Sequence, residues 1–134
     1  MAKVIDVEGI GPKYAAKLQE AGIYTTDALL QAGATANGRK QLADKTGISA
    51  KLILEWTNHV DLWRIKGVGE EYSDLLEEAG VDTVVELAQR VPANLLEKMT
   101  AVNAAKKLVR KMPTLAMVTS WVEQAKTLPR VITY

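Results

Sequence analysis

Apolar residues recur at helical spacing along most of the chain, with polar residues between them. Tyr14, Leu18 and Ala21 stand at i, i+4 and i+7, and Tyr72, Leu76 and Ala79 repeat that spacing further on. Leu52, Ile53, Trp56 and Val60 form an inward stripe over residues 50–62. Leu115, Val118, Val122 and Ala125 form another over 115–127. No segment sustains an alternation of period two, so essentially no sheet is expected. The punctuation agrees with the stripes. Gly22 and Gly80 fall where a left-handed residue ends a helix. Gly47 is expected to stop a helix over about 38–46, and Ser49 to cap the helix that follows. Thr26 and Thr83 are suited to cap two short helices, with Asp27 and Glu86 in their first turns. Asn103 is predicted to cap a helix over about 104–112 that Pro113 ends. Thr114 then caps the last helix, and Pro129 stops it. The tail Arg130–Tyr134 is short and β-branched and is predicted to run extended over the surface. The fold class is all-α, with eight to ten short helices.

The two stripes that begin with tyrosine belong to a longer repeat. Residues 7–32 and 65–90 align at an offset of 58, with ten of 26 positions identical. The identities include Gly9/Gly67, Gly11/Gly69, Tyr14/Tyr72, Leu18/Leu76 and Gly22/Gly80. Each copy reads as an apolar lead-in, a Gly-apolar-Gly turn that calls for positive φ or close approach, and a helix. A single all-helical domain made of two units follows, about 1–62 and 63–112. A C-terminal helix 114–128 and an extended tail complete it.

Composition removes whole classes of chemistry. The 134 residues include no cysteine and one histidine, His59. A disulfide framework, a thiolate zinc site, an iron–sulfur cluster, a cysteine nucleophile and any mechanism with two imidazoles are excluded. No phosphate-binding loop, dinucleotide fingerprint or calcium loop occurs, so no cofactor is expected. Neither an enzyme nor a catalytic residue is expected. The first residues contain no apolar run of the kind a secretory signal needs, and no stretch approaches membrane-spanning length. A cytoplasmic protein that makes no membrane contact is expected.

The repeated segments GIGPKYAAKLQEAGI and GVGEEYSDLLEEAGV resemble helix-hairpin-helix motifs. Two such motifs joined by a helix resemble the paired-hairpin, SAM-like helical domains of DNA ligases, repair polymerases and Holliday-junction proteins. The chain as a whole is similar to a bacterial family catalogued as a domain of unknown function built on these motifs. The resemblance implies binding of backbone phosphate, without reading sequence, by N–H groups that the glycine turn presents at a helix N-terminus. Carried over onto matching positions, Gly9 and Gly11 form the turn and Lys13 is the phosphate-contacting base. Lys17 follows one helical turn later. The second hairpin departs from the pattern, because Glu70 and Glu71 stand where Pro12 and Lys13 stand in the first. It also departs from hairpin glycosylases, whose surrounding motif is missing.

Charge is segregated along the chain. Residues 1–62 are neutral overall, 63–97 carry a net −5, and 98–134 carry a net +6. Lys106, Lys107, Arg110 and Lys111 are expected as two i,i+4 pairs on one helix. Two uses compete. The cluster either extends a phosphate-binding stripe from the first hairpin or pairs with the acidic second hairpin, within one chain or between chains. The candidate partners are accordingly DNA or another nucleic acid, or a protein, including a second copy. His59, Tyr14, Tyr72 and the tryptophans Trp56, Trp63 and Trp121 are expected to be packing residues.

Overall fold

The computed structural model describes residues 2–7 and 9–134. A 3-10 turn at Val4–Asp6 precedes α1 (Pro12–Glu20), α2 (Thr26–Ala32), α3 (Ala36–Thr46) and α4 (Ala50–Leu62). The second half contains α5 (Glu70–Glu78), α6 (Val84–Ala88), α7 (Pro92–Lys106) and α8 (Leu115–Thr127). Among the described residues the only β pairing is a lone antiparallel bridge between Lys3 and Thr25. The expectation of an all-α chain holds. The chain divides into two compact units. The first runs to Asp61 and takes back Val131–Tyr134, and the second spans Leu62–Arg130.

The two units repeat one set of local devices. Gly11 and Gly69 are the N-caps of α1 and α5, in extended backbone. Both helices end in the same hydrogen-bonded cap. Gly22 N–H donates to Gln19 O at 2.9 Å and Ile23 N–H to Leu18 O at 2.9 Å. Gly80 N–H donates to Glu77 O at 2.9 Å and Val81 N–H to Leu76 O at 2.8 Å. These paired bonds satisfy carbonyls that a helix end leaves bare, with the glycine at φ +86° or +95°. The short helices begin at Thr25, which accepts from Ala28 N–H at 3.1 Å, and Thr83, which accepts from Glu86 N–H at 3.4 Å. The cap is therefore Thr25 and not Thr26. Thr26 is buried as the first helical residue.

The match between units reaches beyond the aligned segments. Ser49 accepts from Leu52 N–H at 3.2 Å to start α4, and Thr114 accepts from Met117 N–H at 3.1 Å to start α8. Each of these helices is 13 residues long and buries a tryptophan, Trp56 or Trp121. The last helix is therefore the second unit's counterpart of α4. It packs on α6 and α7, within a core that includes Leu75, Leu76, Leu87, Met99, Val118 and Val122. The first unit buries Val4, Leu18, Leu29, Leu42, Ile53 and Trp56.

Two expectations are corrected. There is no helix over 104–112. α7 starts at Pro92, whose ring suits the first helical position, and runs to Lys106. Asn103 closes this helix instead of opening one. Its amide donates to Val109 O at 3.2 Å and accepts from Val109 N–H at 2.9 Å, pinning the loop that follows. The final segment also differs from a surface strand. Ile132 is buried and Thr133 N–H donates to Ala34 O at 2.8 Å, so the segment is packed into the first unit.

Candidate functional site

Each glycine turn rests on the edge of a tryptophan. Gly9 has φ +91°, and a Cβ there would stand 3.2 Å from Trp56 Nε1. Gly67 has φ +95°, and a Cβ there would stand 3.0 Å from Trp121 Nε1. Positive φ and close approach both require glycine at these positions. The tryptophan in turn packs on the tyrosine of the helix that follows the turn. Tyr14 and Trp56 have ring centroids 5.2 Å apart at 59°, and Tyr72 and Trp121 are 5.2 Å apart at 51°. Tilted pairs of this kind contribute about 0.5–1.5 kcal/mol beyond the apolar area they bury. Ile10 and Val68, between the glycines, point into the core. Their N–H groups donate to Val7 O at 3.0 Å and Ile65 O at 3.1 Å. The turn is thus held from below, and its outer rim faces solvent.

The second glycine of each turn has no internal reason to be glycine. Gly11 has φ −82° and ψ −178°, a conformation open to any residue, and a Cβ there meets nothing within 4 Å. Gly69 is alike, at φ −108° with the same open space. Neither helix has a side-chain cap on its first turn. The first N–H groups of a helix have no partners within it. At the first glycine turn the flanking residues Gly9, Gly11, Pro12 and Lys13 are exposed, and Lys17 is half-buried one turn on. At the second, Glu70 and Glu71 occupy the first turn. These carboxylates complement the helix dipole of α5 themselves. Its turn is also engaged from α8. Gln124 Oε1 accepts from Lys66 N–H at 2.9 Å, and its amide donates to Lys66 O at 3.2 Å.

The basic cluster is not a helical face. Lys106 is the last residue of α7, and Lys107 is its C-cap in left-handed backbone at φ +53°. Arg110 and Lys111 lie in the loop that leads to α8. The two predicted i,i+4 pairs therefore do not form, because the helix ends before the cluster is complete. Lys106 Nζ makes an ion pair with Glu78 Oε2 at the end of α5. Tyr72 OH donates to Lys111 O at 3.0 Å. Within the second unit the basic loop is thus docked against the acidic helix. Lys107, Arg110 and Lys111 keep their side chains in solvent.

Residues 8–128 match the family described as Domain of unknown function (DUF4332). The chain belongs to that family. The match spans both glycine turns and all three tryptophans of this DUF4332 chain and stops short of the final segment. No curated protein and no solved structure matches it. No helix among its described residues is long and apolar enough to cross a membrane.

Sequence reasoning about this DUF4332 chain missed the role of the tryptophans in shaping the turns. The signal was present, since Ser49 and Thr114 precede Trp56 and Trp121 by the same seven residues. It was hidden by an offset of 65 where the hairpins keep 58. Trp63 is half-buried and donates from Nε1 to Ser73 Oγ at 2.9 Å, so it also serves packing. His59 is buried. Arg39, which no motif marked, is buried as well.

Proposed function

We propose that this chain is a non-enzymatic helix-hairpin-helix module that binds nucleic-acid backbone phosphate through its first hairpin, without reading sequence. The observation that carries this is Gly11. Its backbone angles suit any residue and the space in front of it is empty, so the missing side chain serves no internal contact. What the missing side chain leaves is access to the first-turn N–H groups of α1. A phosphate oxygen there gains those donors and the positive end of the helix. Lys13 adds charge from the first turn, and Lys17 adds it from the next. Contacts of this type position a strand and carry no base specificity. A cytoplasmic setting fits this role.

Glu70 and Glu71 make the second hairpin a poor phosphate site. The proposed module therefore engages one backbone through one hairpin, where paired hairpins would engage two. The basic loop is auxiliary. Lys106 is committed to Glu78, which leaves Lys107, Arg110 and Lys111 to add non-specific attraction.

A second reading is favoured by that same ion pair. An acidic α5 that already holds a basic residue of its own chain suits a protein-interaction or self-association scaffold that has lost its nucleic-acid contacts.

Fluorescence anisotropy of labelled duplex and single-stranded DNA, titrated at several salt concentrations, separates the two. Binding that falls with salt and weakens about tenfold or more in Lys13→Glu is expected for a working phosphate site. No binding at low salt overturns it and leaves the scaffold, to be followed by a mass measurement of the chain in solution.

A further inference from the structure

The first unit buries an arginine. Arg39 in α3 is 5% exposed, and its acceptors are two main-chain carbonyls. Nη1 donates to Gly33 O at 2.8 Å, six residues earlier in the chain. Nη2 donates to Thr133 O at 2.8 Å, from a residue 94 positions away. A buried guanidinium is costly unless its donors are satisfied, so the distant carbonyl is integral to the environment of Arg39.

The segment that supplies this carbonyl is held as a bound peptide is held. Thr133 gives both of its main-chain groups to the first unit, its N–H to Ala34 O at 2.8 Å and its carbonyl to Arg39. Ile132, one residue earlier, is 3% exposed and acts as an apolar anchor. Tyr134, one residue later, sets its ring 5.9 Å from the Arg39 guanidinium carbon, within cation–π range. Main-chain hydrogen bonds for affinity and a side-chain pocket for specificity are how an extended peptide is recognised. The segment also lies outside the family match, which ends at residue 128, while Arg39 and Ala34 lie inside it.

We infer that the first unit carries a peptide-binding seat, built on Arg39 and the loop at Gly33–Ala34, that takes an extended apolar-Thr-Tyr segment. The chain's own residues 131–134 fill it. The seat is independent of the hairpin, because none of its contacts uses the glycine turn. A peptide of the same pattern competes for it when the resident segment is weakened.

The test keeps the full chain. Ile132→Asp removes the anchor that holds the segment, and Thr133→Pro removes the N–H that donates to Ala34 O. A fluorescent peptide of residues 128–134 is titrated against the wild type and both variants, with circular dichroism reporting the fold. The expected result is saturable binding to the variants at least tenfold tighter than to the wild type. Adding Arg39→Gln to Ile132→Asp is expected to remove that binding, and the peptide carrying Asp in place of Ile is not expected to bind. A folded variant that binds no peptide overturns the inference. So does binding that ignores Arg39 or the anchor. Loss of fold in both variants also overturns it, since the segment is then part of the core and not a ligand.

Discussion

The two glycine turns share a scaffold and differ in charge. In both, a glycine at positive φ lies against a tryptophan Nε1, an apolar residue points inward, and a tyrosine packs on the same tryptophan at 5.2 Å. In both, the next glycine stands in open space as the N-cap. Yet the first helix opens Pro-Lys and the second Glu-Glu. The difference separates what folds the turn from what the turn does. Buried residues hold its shape in both units. The exposed first turn of the helix carries opposite charge in the two units, Lys13 in one and Glu70 and Glu71 in the other, over the same buried tryptophan support.

The sharpest way to break the comparison is to remove the shared support. Trp56→Ala and Trp121→Ala are each expected to cost about 3–5 kcal/mol, as large aromatic truncations in a core do. Urea unfolding followed by circular dichroism measures both. A small loss for one and a large loss for the other would show that the turns are built differently despite their matching geometry. Next in size are Gly9→Ala and Gly67→Ala. Left-handed backbone alone costs a residue with a Cβ about 1–2 kcal/mol. Gly67 should be the more sensitive, since its Cβ would approach Trp121 to 3.0 Å, against 3.2 Å at Gly9.

Exchange of the charged residues sharpens the comparison at the level of binding. Glu70→Pro with Glu71→Lys gives the second hairpin the opening of the first. If the shared scaffold suffices, DNA affinity should rise several-fold. The salt dependence should steepen by about 0.7–0.9 in log–log slope for each new phosphate contact. An unchanged slope in anisotropy titrations would mean that the second turn cannot accept phosphate whatever its charge. The smallest effect is expected for Glu78→Gln, which breaks the ion pair with Lys106. Both side chains are substantially exposed, at 38% and 52%, so chemical denaturation should register no more than about 0.5 kcal/mol. A larger loss would mark the docking of the basic loop as structural.

Local signals were legible in the sequence and long-range ones were not. The ranges of α4 and α8 follow from Ser49 and Thr114, because an N-cap acts within three residues of itself. The helix ends at Gly22, Gly47 and Gly80 follow from backbone freedom at single positions. Asn103 misled because its amide serves either end of a helix. α7 has only Leu95 and Met99 buried, so its stripe is too narrow to announce a helix that begins at Pro92. That error carried into the candidate site, since it placed four basic residues on a helical face that does not exist. The glycines of the first turn were legible from the repeat. Their support by Trp56 was not, because a contact between residues 47 apart leaves no local pattern. The destination of Ile132 and Thr133 was invisible for the same reason.

The hydrogen bond from Arg39 to Thr133 has a consequence for synthesis. The first unit leaves the ribosome first, but the last of its partners emerges 94 residues after Arg39. Until then the guanidinium has only Gly33 to hold it, and the unit waits with a charge that its finished form keeps from water. The second unit's residues end at Arg130, before the segment that the first unit takes back. The half of the chain translated later is therefore not the half that is completed last.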